Sequence, residues 1–310
     1  MLQSLILMIL VVLASTWLPL PKSYQPLLIF RSIATAVANK VNKPTQMSGQ
    51  QLLSGCLAIV VLVTPVLLLA VAFAELSSWP ELWHALLLFI CLDWRHVRTQ
   101  ALSVSDSIEK QQLQLAKAQL QPLVLRETAK MSVIGLNKAS IETLSLRVST
   151  QWFGVLFWFS LGGGIAALAY RLLYELLHCW NPKLSTFTTF GKPIASLMAV
   201  LSFLPMVLAA TLIAIQHQWR MSLFYLRSTS KADFRLAQRW LLAATSAALA
   251  TNLAGPRYYG TLKQSRERIG PKTEPETGDI RRWLTFCGQF QLLSVLLIAG
   301  VWLLIWVSQL

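Results

Sequence analysis

The fold of this chain is decided by residues 52–74, which read LLSGCLAIVVLVTPVLLLAVAFA. No charged side chain interrupts them, and they exceed the roughly 20 residues that an α-helix needs to cross a hydrocarbon core about 30 Å thick. Pro65 lies inside the stretch, where a bundle of neighbouring helices tolerates a kink. The stretch therefore predicts a transmembrane helix.

Other apolar stretches of similar length lie elsewhere in the chain, at residues 2–20, 151–173, 194–215 and 290–307. A sixth stretch, residues 79–92, is shorter and contains His84, which fits a tilted span or a re-entrant hairpin. The first stretch lacks a basic amino-terminal region, so we expect a retained membrane helix rather than a cleaved signal peptide. Pro205, in the fourth long stretch, predicts a second kink.

The composition points the same way, since 55% of the residues are hydrophobic and only 13% are charged. This balance is too apolar for an ordinary soluble domain. We predict an all-α fold, a polytopic membrane helix bundle of about five to six transmembrane helices. Residues 1–310 would form a single integral membrane domain, with helical cytoplasmic loops at approximately residues 94–150 and 216–287.

Positive charge is distributed unevenly along the chain, whose formal net charge is +14. If all six stretches cross and the amino terminus faces outward, every lysine and arginine except Arg171, Lys183 and Lys192 falls on one side. This positive-inside pattern predicts a multi-pass protein of the bacterial inner membrane with its large basic loops in the cytoplasm. Because the basic residues lie between apolar runs and not on one soluble face, the charge predicts contact with the lipid bilayer, not with nucleic acid.

Both large loops have helical patterns. Residues 97–125 mix apolar and polar residues without glycine, which predicts one helix. A second short helix should follow, with Asn137 or Ser140 as its N-cap and Glu142 in its first turn. Residues 240–254 are rich in small side chains and predict a helix that lies against the bundle.

Local motifs for chemistry are scarce. The four cysteines and four histidines are scattered without ligand spacing, so no metal site is predicted. Phosphate-binding loops and nucleophile elbows do not occur. The glycine run at residues 162–164 interrupts an apolar stretch and predicts a helix break or a close contact between helices, while the polar, proline-containing residues 264–278 predict a flexible surface loop.

Five short motifs occur in a characteristic order between residues 126 and 280. They are Arg126-Glu127-Thr128, Ala139-Ser140-Ile141-Glu142-Thr143-Leu144, Gly162-Gly163 with Leu168-Ala169-Tyr170-Arg171, Phe190-Gly191 with Pro205, and Leu253-Ala254-Gly255-Pro256 with Tyr259-Gly260. In this order and spacing they resemble the cobalamin-biosynthesis CobD/CbiB family, the adenosylcobinamide-phosphate synthases. The resemblance covers about half of the chain.

The resemblance implies an ATP-dependent ligase that joins adenosylcobyric acid to aminopropanol or its phosphate at the membrane, with a corrinoid as ligand. ATP and Mg²⁺ are implied only if that synthase activity is retained, and no other cofactor or metal is expected. It marks as catalytic candidates Glu142, Glu127 and Arg126. It marks as ligand-binding candidates Arg126, Thr128, Arg171, Gly255, Pro256 and Tyr259.

The acidic motifs of the family are largely missing from this chain. Where the family has Glu-Asn-x-x-Asp after the helix start, the corresponding residues are Leu146, Arg147 and Thr150. Phosphate and Mg²⁺ require acidic ligands, because uncompensated charge in a cleft of low dielectric constant costs several kcal/mol. The main hypothesis is therefore a degenerate relative, a ligase-like pseudoenzyme with a sensing, scaffolding or regulatory role.

Two alternatives keep other functions open. A divergent but active synthase would rebuild its site from acids elsewhere, such as Glu127, Glu142, Glu175 and Asp279. An envelope-signalling role, like that of the AmpE proteins, is the second alternative, because those proteins are membrane proteins of similar size. No feature of the sequence determines the oligomeric state.

A transporter is the remaining alternative, in which helix breaks at Pro65, residues 162–164 and Pro205 would line a site at the middle of the membrane. Transport paths usually need a charged residue deep inside a span. The predicted spans offer none there, which disfavours this alternative.

Overall fold

A computed structural model describes residues 2–17, 26–43, 45, 47–229, 235–259, 262–264 and 266–308. Most of them are helical, so the predicted all-α membrane fold is confirmed. The helices are α1 (Leu2–Trp17), α2 (Pro26–Val41), α3 (Ser48–Leu76), α4 (Pro80–Cys91), α5 (Trp94–Glu109), α6 (Leu113–Leu120), α7 (Val133–Arg147), α8 (Gly154–Cys179), α9 (Lys192–Leu201), α10 (Phe203–Gln216), α11 (Trp219–Ser228), α12 (Leu236–Leu249) and α13 (Asp279–Val307).

Among the described residues, three continuous helical segments are long and apolar enough to cross a membrane. They are α3, α13 and the segment Val133–Cys179, in which a π-helical turn joins α7 to α8. The bent pair α9 and α10 raises the number to four if it counts as one span. The stretches expected to span at residues 2–20 and 79–92 contain only the shorter helices α1 and α4, of 16 and 12 residues, and residues 18–20 lie outside the described part.

The chain divides into two compact units. Unit 1 consists of Met1–Asp93, Gly154–Phe203 and Ile298–Leu310, and unit 2 consists of Trp94–Phe153 and Leu204–Leu297. In unit 1 the central helix is α8, which packs against α2, α3, α4 and α9. In unit 2 the helix α7 packs against α5, α6 and α12.

The predicted helix break in the glycine run is confirmed. Gly162 and Gly163 leave the helical conformation inside α8, and Gly163 has a φ of 65°. Helix α4 meets α8 here so closely that a Cβ atom on Gly164 would lie 2.7 Å from the carbonyl oxygen of His84. The freed N–H of Gly164 donates to Nδ1 of His84 at 3.1 Å. The break is therefore both a close contact and a satisfied helix start.

The two prolines behave differently from each other. Pro65 stays inside α3, which continues through it. The bend of 48° between α9 and α10 lies at Ser202, three residues before Pro205, so the kink expected from Pro205 is confirmed. A proline ring collides with the carbonyl group four residues earlier, and α9 ends at that residue, Leu201. Pro205 itself lies in the first turn of α10, where its missing N–H would have no intrahelical partner.

The single helix expected at residues 97–125 is wrong, since two helices occupy this region. Helix α5 ends at Glu109, and Gln111 has a left-handed φ of 58°. Helix α6 then folds back on α5, and Oγ of Ser107 donates to Oε1 of Gln119 at 2.8 Å. The reversal buries the apolar side of α6, which one straight helix would leave exposed.

The expected start of the next helix is also wrong. Helix α7 begins at Val133, and Oγ of its N-cap Ser132 accepts a hydrogen bond from the N–H of Gly135 at 3.2 Å. Asn137 and Ser140, expected as N-caps, and Glu142, expected in the first turn, lie in the middle of α7 and are buried. Tertiary contacts, not local capping, satisfy the carboxylate of Glu142.

The small-residue helix is confirmed up to Leu249, as α12, which is buried along nearly its whole length. Beyond it the chain forms a nested pair of antiparallel strands instead of a plain loop. The outer strands β1 (Leu253–Ala254) and β4 (Arg268–Ile269) pair, as do the inner strands β2 (Arg257–Tyr259) and β3 (Leu262–Gln264). The flexible loop expected at residues 264–278 thus begins within this hairpin.

Candidate functional site

The candidate site of unit 2 is built on α7, a buried helix with polar residues on all sides. Its sequence places Asn137, Lys138, Ser140, Glu142 and Ser145 within three turns, and all five are buried. Buried polar groups are costly unless they find partners. The position of α7 is therefore set by what these side chains bind.

Glu142 is the centre of the site. Its side chain is 1% exposed, Oε2 forms an ion pair with Nη2 of Arg126, and Oε1 accepts the backbone N–H of Ala254 at 2.7 Å. Arg126 is itself largely buried, at 12% exposure. We name this arrangement the Glu142 clamp, made of Arg126, Glu142 and the Ala254 N–H. It joins the segment before α7, α7 itself and the strand β1.

The turn after β1 has an unusual backbone. Ala254 has a φ of 63° and Gly255 a φ of 105°, so two consecutive residues are left-handed. This conformation suits glycine but costs an alanine roughly 1–2 kcal/mol. Residues held in this way persist only where surrounding contacts determine them. Here the determining contact is the hydrogen bond from Ala254 to Glu142.

A second ion pair holds the segment after β4 against the same helix. Nζ of Lys138 lies 2.5 Å from Oε2 of Glu274, one turn before Glu142 along α7. Burial alone would raise the pKa of Glu274, but the hydrogen bond from Lys138 and its positive charge outweigh burial and lower this pKa below its ordinary value. The backbone N–H of Asn252 donates to the carbonyl oxygen of Thr273 at 2.8 Å. Residues 272–275 are therefore held in place and are not a free loop.

Some buried polar atoms on α7 have no hydrogen-bond partner within the described chain. They include Oδ1 of Asn137 and Oγ of Ser140, each on a residue only 1% exposed. The amide group of Asn137 donates weakly to the carbonyl oxygen of Pro275, at 3.4 Å. Such atoms can accept or donate hydrogen bonds to a polar ligand or to ordered water.

The other predicted residues of this region have different surroundings. Thr128 is buried and bonds back to the end of α6, to Oε1 of Gln121 just after it and to the carbonyl oxygen of Lys117 within it, so it shapes the backbone next to Arg126. Glu127 points outward and is exposed, as is Pro256. Tyr259 belongs to β2, and its side chain lies outside the described part.

Arg171, the remaining predicted ligand-binding residue, lies in unit 1. It is fully buried, and its Nη2 is 2.8 Å from Oε1 of Glu175, one turn along α8. Glu175 also forms an ion pair with Nε of Arg31. These charged residues lie within one of the candidate spans or against it, which corrects the expectation that the spans contain no buried charge. Each carboxylate oxygen of Glu175 thus forms an ion pair with an arginine.

The acids proposed for a rebuilt synthase site have separate roles. Glu142 and Glu175 are held in ion pairs in different units, and Oδ2 of Asp279 accepts the N–H of Glu276 at 2.8 Å at the start of α13. Within the described part of the chain, no three side chains of His, Cys, Asp or Glu form a group that could hold a metal ion.

Sequence reasoning found Arg126, Glu142 and the turn at Gly255 but missed what joins them. The Ala254 N–H and the Lys138–Glu274 pair have no local signature, because their partners are distant in sequence.

Comparison with known proteins agrees with the resemblance. A family model described as CobD/Cbib protein matches residues 8–287. The relatives named "Cobalamin biosynthesis protein CobD" from Chromobacterium violaceum and Stutzerimonas stutzeri are 28% and 26% identical to this chain. The alignments cover 84% and 92% of this chain and 85% and 91% of those proteins. No solved structure matches it.

A relative of the same name from Mycobacterium tuberculosis is 24% identical over 84% of each chain. The family match thus extends from the first helix into the first third of α13, far beyond the motifs at residues 126–280 on the amino-terminal side. Together with the helical membrane fold and the clamp formed by motif residues, this leads to one conclusion: the chain is a member of the CobD/CbiB family of cobalamin-biosynthesis proteins.

Proposed function

We propose that this membrane protein is a non-catalytic member of the CobD/CbiB family, in which the former reaction site serves as a structural or ligand-sensing element. The observation that carries the proposal is the Glu142 clamp. Both oxygens of the carboxylate are engaged, one by Arg126 and one by a backbone N–H. To coordinate Mg²⁺, Glu142 would have to abandon a buried ion pair, which costs several kcal/mol.

The residues that replace the acidic motif support the same proposal. Nη2 of Arg147 donates to the carbonyl oxygen of Leu123 at 3.1 Å, and Oγ1 of Thr150 donates to the carbonyl oxygen of Leu146 at 2.6 Å. Each of these two side chains therefore bonds to a backbone carbonyl group of the protein itself. Arg147, at the position where the family has an asparagine, also repels a metal ion. This stretch holds the fold and offers no ligand to Mg²⁺.

The proposal also covers the cellular location of the protein and its ligands. The protein resides in the bacterial inner membrane, with the large basic loops of unit 2 in the cytoplasm, as the positive-inside rule requires. It needs neither ATP nor Mg²⁺. A corrinoid remains a ligand for it, bound by the buried polar atoms of α7 and not converted, and such binding would suit a regulatory or scaffolding role.

Complementation tests the proposal directly. A bacterium that lacks its own synthase should fail to grow on cobyric acid when it carries this chain, whereas a catalytic relative in the same vector should restore growth. Membrane insertion is checked by immunoblotting of the membrane fraction. Purified protein should also leave nucleotide turnover unchanged when a corrinoid acid and an amino alcohol are added. Growth, or stimulated turnover, contradicts the proposal.

A divergent active synthase is the second candidate function. Two observations favour it: the relatives named for cobalamin biosynthesis align along most of the chain, and Asn137 and Ser140 keep buried polar atoms without partners in the described chain. In that case Glu142→Gln should abolish the growth that the unaltered chain supports. Under the non-catalytic proposal there is no growth for the substitution to remove.

A further inference from the structure

Helix α11 carries three large apolar side chains that the rest of the described chain covers only in part. Trp219, Met221 and Phe224 are 42%, 41% and 61% exposed. On the opposite side Ser222 and Tyr225 are buried, where α11 packs against α12. The exposed side of α11 thus combines apolar with basic side chains: Phe224 lies near its middle, and Trp219 and Met221 lie on its two flanks.

The position of this face is fixed relative to a candidate membrane span. The rings of Trp219 and Trp240 are in edge contact, with centroids 5.8 Å apart. Nε1 of Trp240 donates to Oγ1 of Thr211 on α10 at 3.0 Å. Because α10 belongs to the bent candidate span, α11 is anchored directly beside the end of that span.

Two neighbouring helices of unit 2 mark the polar end of the apolar zone at the same level. The ring of His217, the residue after α10, lies 4.1 Å from that of Phe286 on α13. The guanidinium of Arg282 covers the same Phe286 ring, with Cζ 5.4 Å from the centroid. The apolar residues of α10 come before this contact in the sequence, those of α13 come after it, and α11 starts two residues beyond His217. Helix α11 therefore begins at the height of the lipid headgroups.

The positive charge of α11 favours lipids with anionic headgroups. Arg220 and Arg227 are exposed and share a side of the helix with Phe224, at the spacings i, i+4 and i+7. The helix contains no acidic residue. Arginines of this kind extend their charged ends to the headgroups while their stems cover apolar surface.

We propose that α11 is an interfacial helix that lies in the plane of the membrane and binds anionic phospholipid headgroups. Arg220 and Arg227 contact the phosphates, and Phe224, Met221 and Trp219 insert at the boundary of the acyl chains. The inference rests on α10 being a membrane span and not on the proposed loss of catalysis. It gives unit 2 a lipid-binding surface that distinguishes anionic from neutral leaflets.

The test uses the full chain in nanodiscs of phosphatidylcholine, alone or mixed with phosphatidylglycerol. A nitroxide label on Phe224→Cys reports contact with lipid or water through its collisions with oxygen and with a water-soluble nickel complex. Leu115→Cys on α6, which is 47% exposed, is the matched control. In the anionic discs we expect lipid contact at position 224 and water contact at position 115.

The arginines are tested by a second pair of variants. An arginine near an anionic surface favours the lipid-bound over the water-exposed helix by about fivefold, so Arg220→Gln with Arg227→Gln should shift this equilibrium about thirtyfold towards water and lower the lipid-to-water ratio of the label. Arg98→Gln with Lys110→Gln removes the same charge from an exposed position of α5 and from the exposed residue that follows α5, and should leave the ratio unchanged. Equal water contact at positions 224 and 115 in anionic discs overturns the proposal. The proposal is also overturned if the ratio stays the same when Arg220 and Arg227 are replaced, or if it falls equally in the variant with Arg98 and Lys110 replaced.

Discussion

Removal of Arg126 should destabilise the protein more than removal of its partner Glu142. Arg126→Gln leaves the Glu142 carboxylate 1% exposed without its counter-charge, and an uncompensated buried charge costs about 3–5 kcal/mol. Glu142→Gln keeps an oxygen for the Ala254 N–H and strands an arginine that is 12% exposed and can reach water. The expected loss is then that of one charged hydrogen bond, about 1.5–3 kcal/mol.

Unfolding in mixed micelles, followed by circular dichroism, measures these losses. The double variant should cost less than the sum of the single variants, with a coupling of about 0.5–3 kcal/mol, because each single change already breaks the pair. Arg98→Gln, at an exposed arginine of α5, is the control and should change the stability by less than about 0.5 kcal/mol. If Arg126→Gln costs no more than this control, or if the double variant is additive, the clamp does not hold the site together.

Three further outcomes are expected. Ala254→Gly should raise the unfolding free energy by about 1 kcal/mol, because it relieves a left-handed alanine with a φ of 63°; a loss of stability would show that the turn is not strained. Gly164→Ala should cost about 1–3 kcal/mol, because the new Cβ would lie 2.7 Å from a carbonyl oxygen of α4. Gly288→Ala, with nothing within 4 Å, is its control, and equal effects in the same unfolding assay would exclude the close contact. Hydrogen bonds from Arg281 lower the pKa of Glu109, so the stability that this pair contributes is complete above the ordinary carboxyl pKa and is lost as the pH falls through the lowered one. Arg281→Gln should flatten this acid-side decline in a pH series of melting curves, and an unchanged decline would assign it to other groups.

The apolar spans could be predicted because their signal is local. Residues 52–74 form the central part of α3, and the glycine run at residues 162–164 breaks α8 as expected. A single span needs only its own composition to be recognised, since lipid forces backbone hydrogen bonds to close within the helix. The length of the flanking helices was underestimated, because α13 begins at Asp279 in a polar segment that continues an apolar helix.

The polar half of the chain was harder to predict. Asn137 and Ser140 have the chemistry of N-caps, yet Ser132 starts the helix, and both residues point into the core of unit 2. The nested strands after α12 are too short for a periodic pattern to reveal them. In both places long-range partners outweigh local preference, which is the usual way in which tertiary structure overrides propensity.

The sequence by itself determined that this is a membrane protein and that it resembles the CobD/CbiB proteins, and it marked Arg126, Glu142 and Gly255 as candidate site residues. Composition and motif order are enough for such conclusions. Only the tertiary structure decided how the three meet, because Glu142 and Ala254 are 112 positions apart and no local rule relates them. The physical reason is that a buried carboxylate accepts hydrogen bonds from whichever donors the fold brings to it. Here the donors are the Arg126 guanidinium and the backbone N–H of Ala254, a residue with a left-handed backbone.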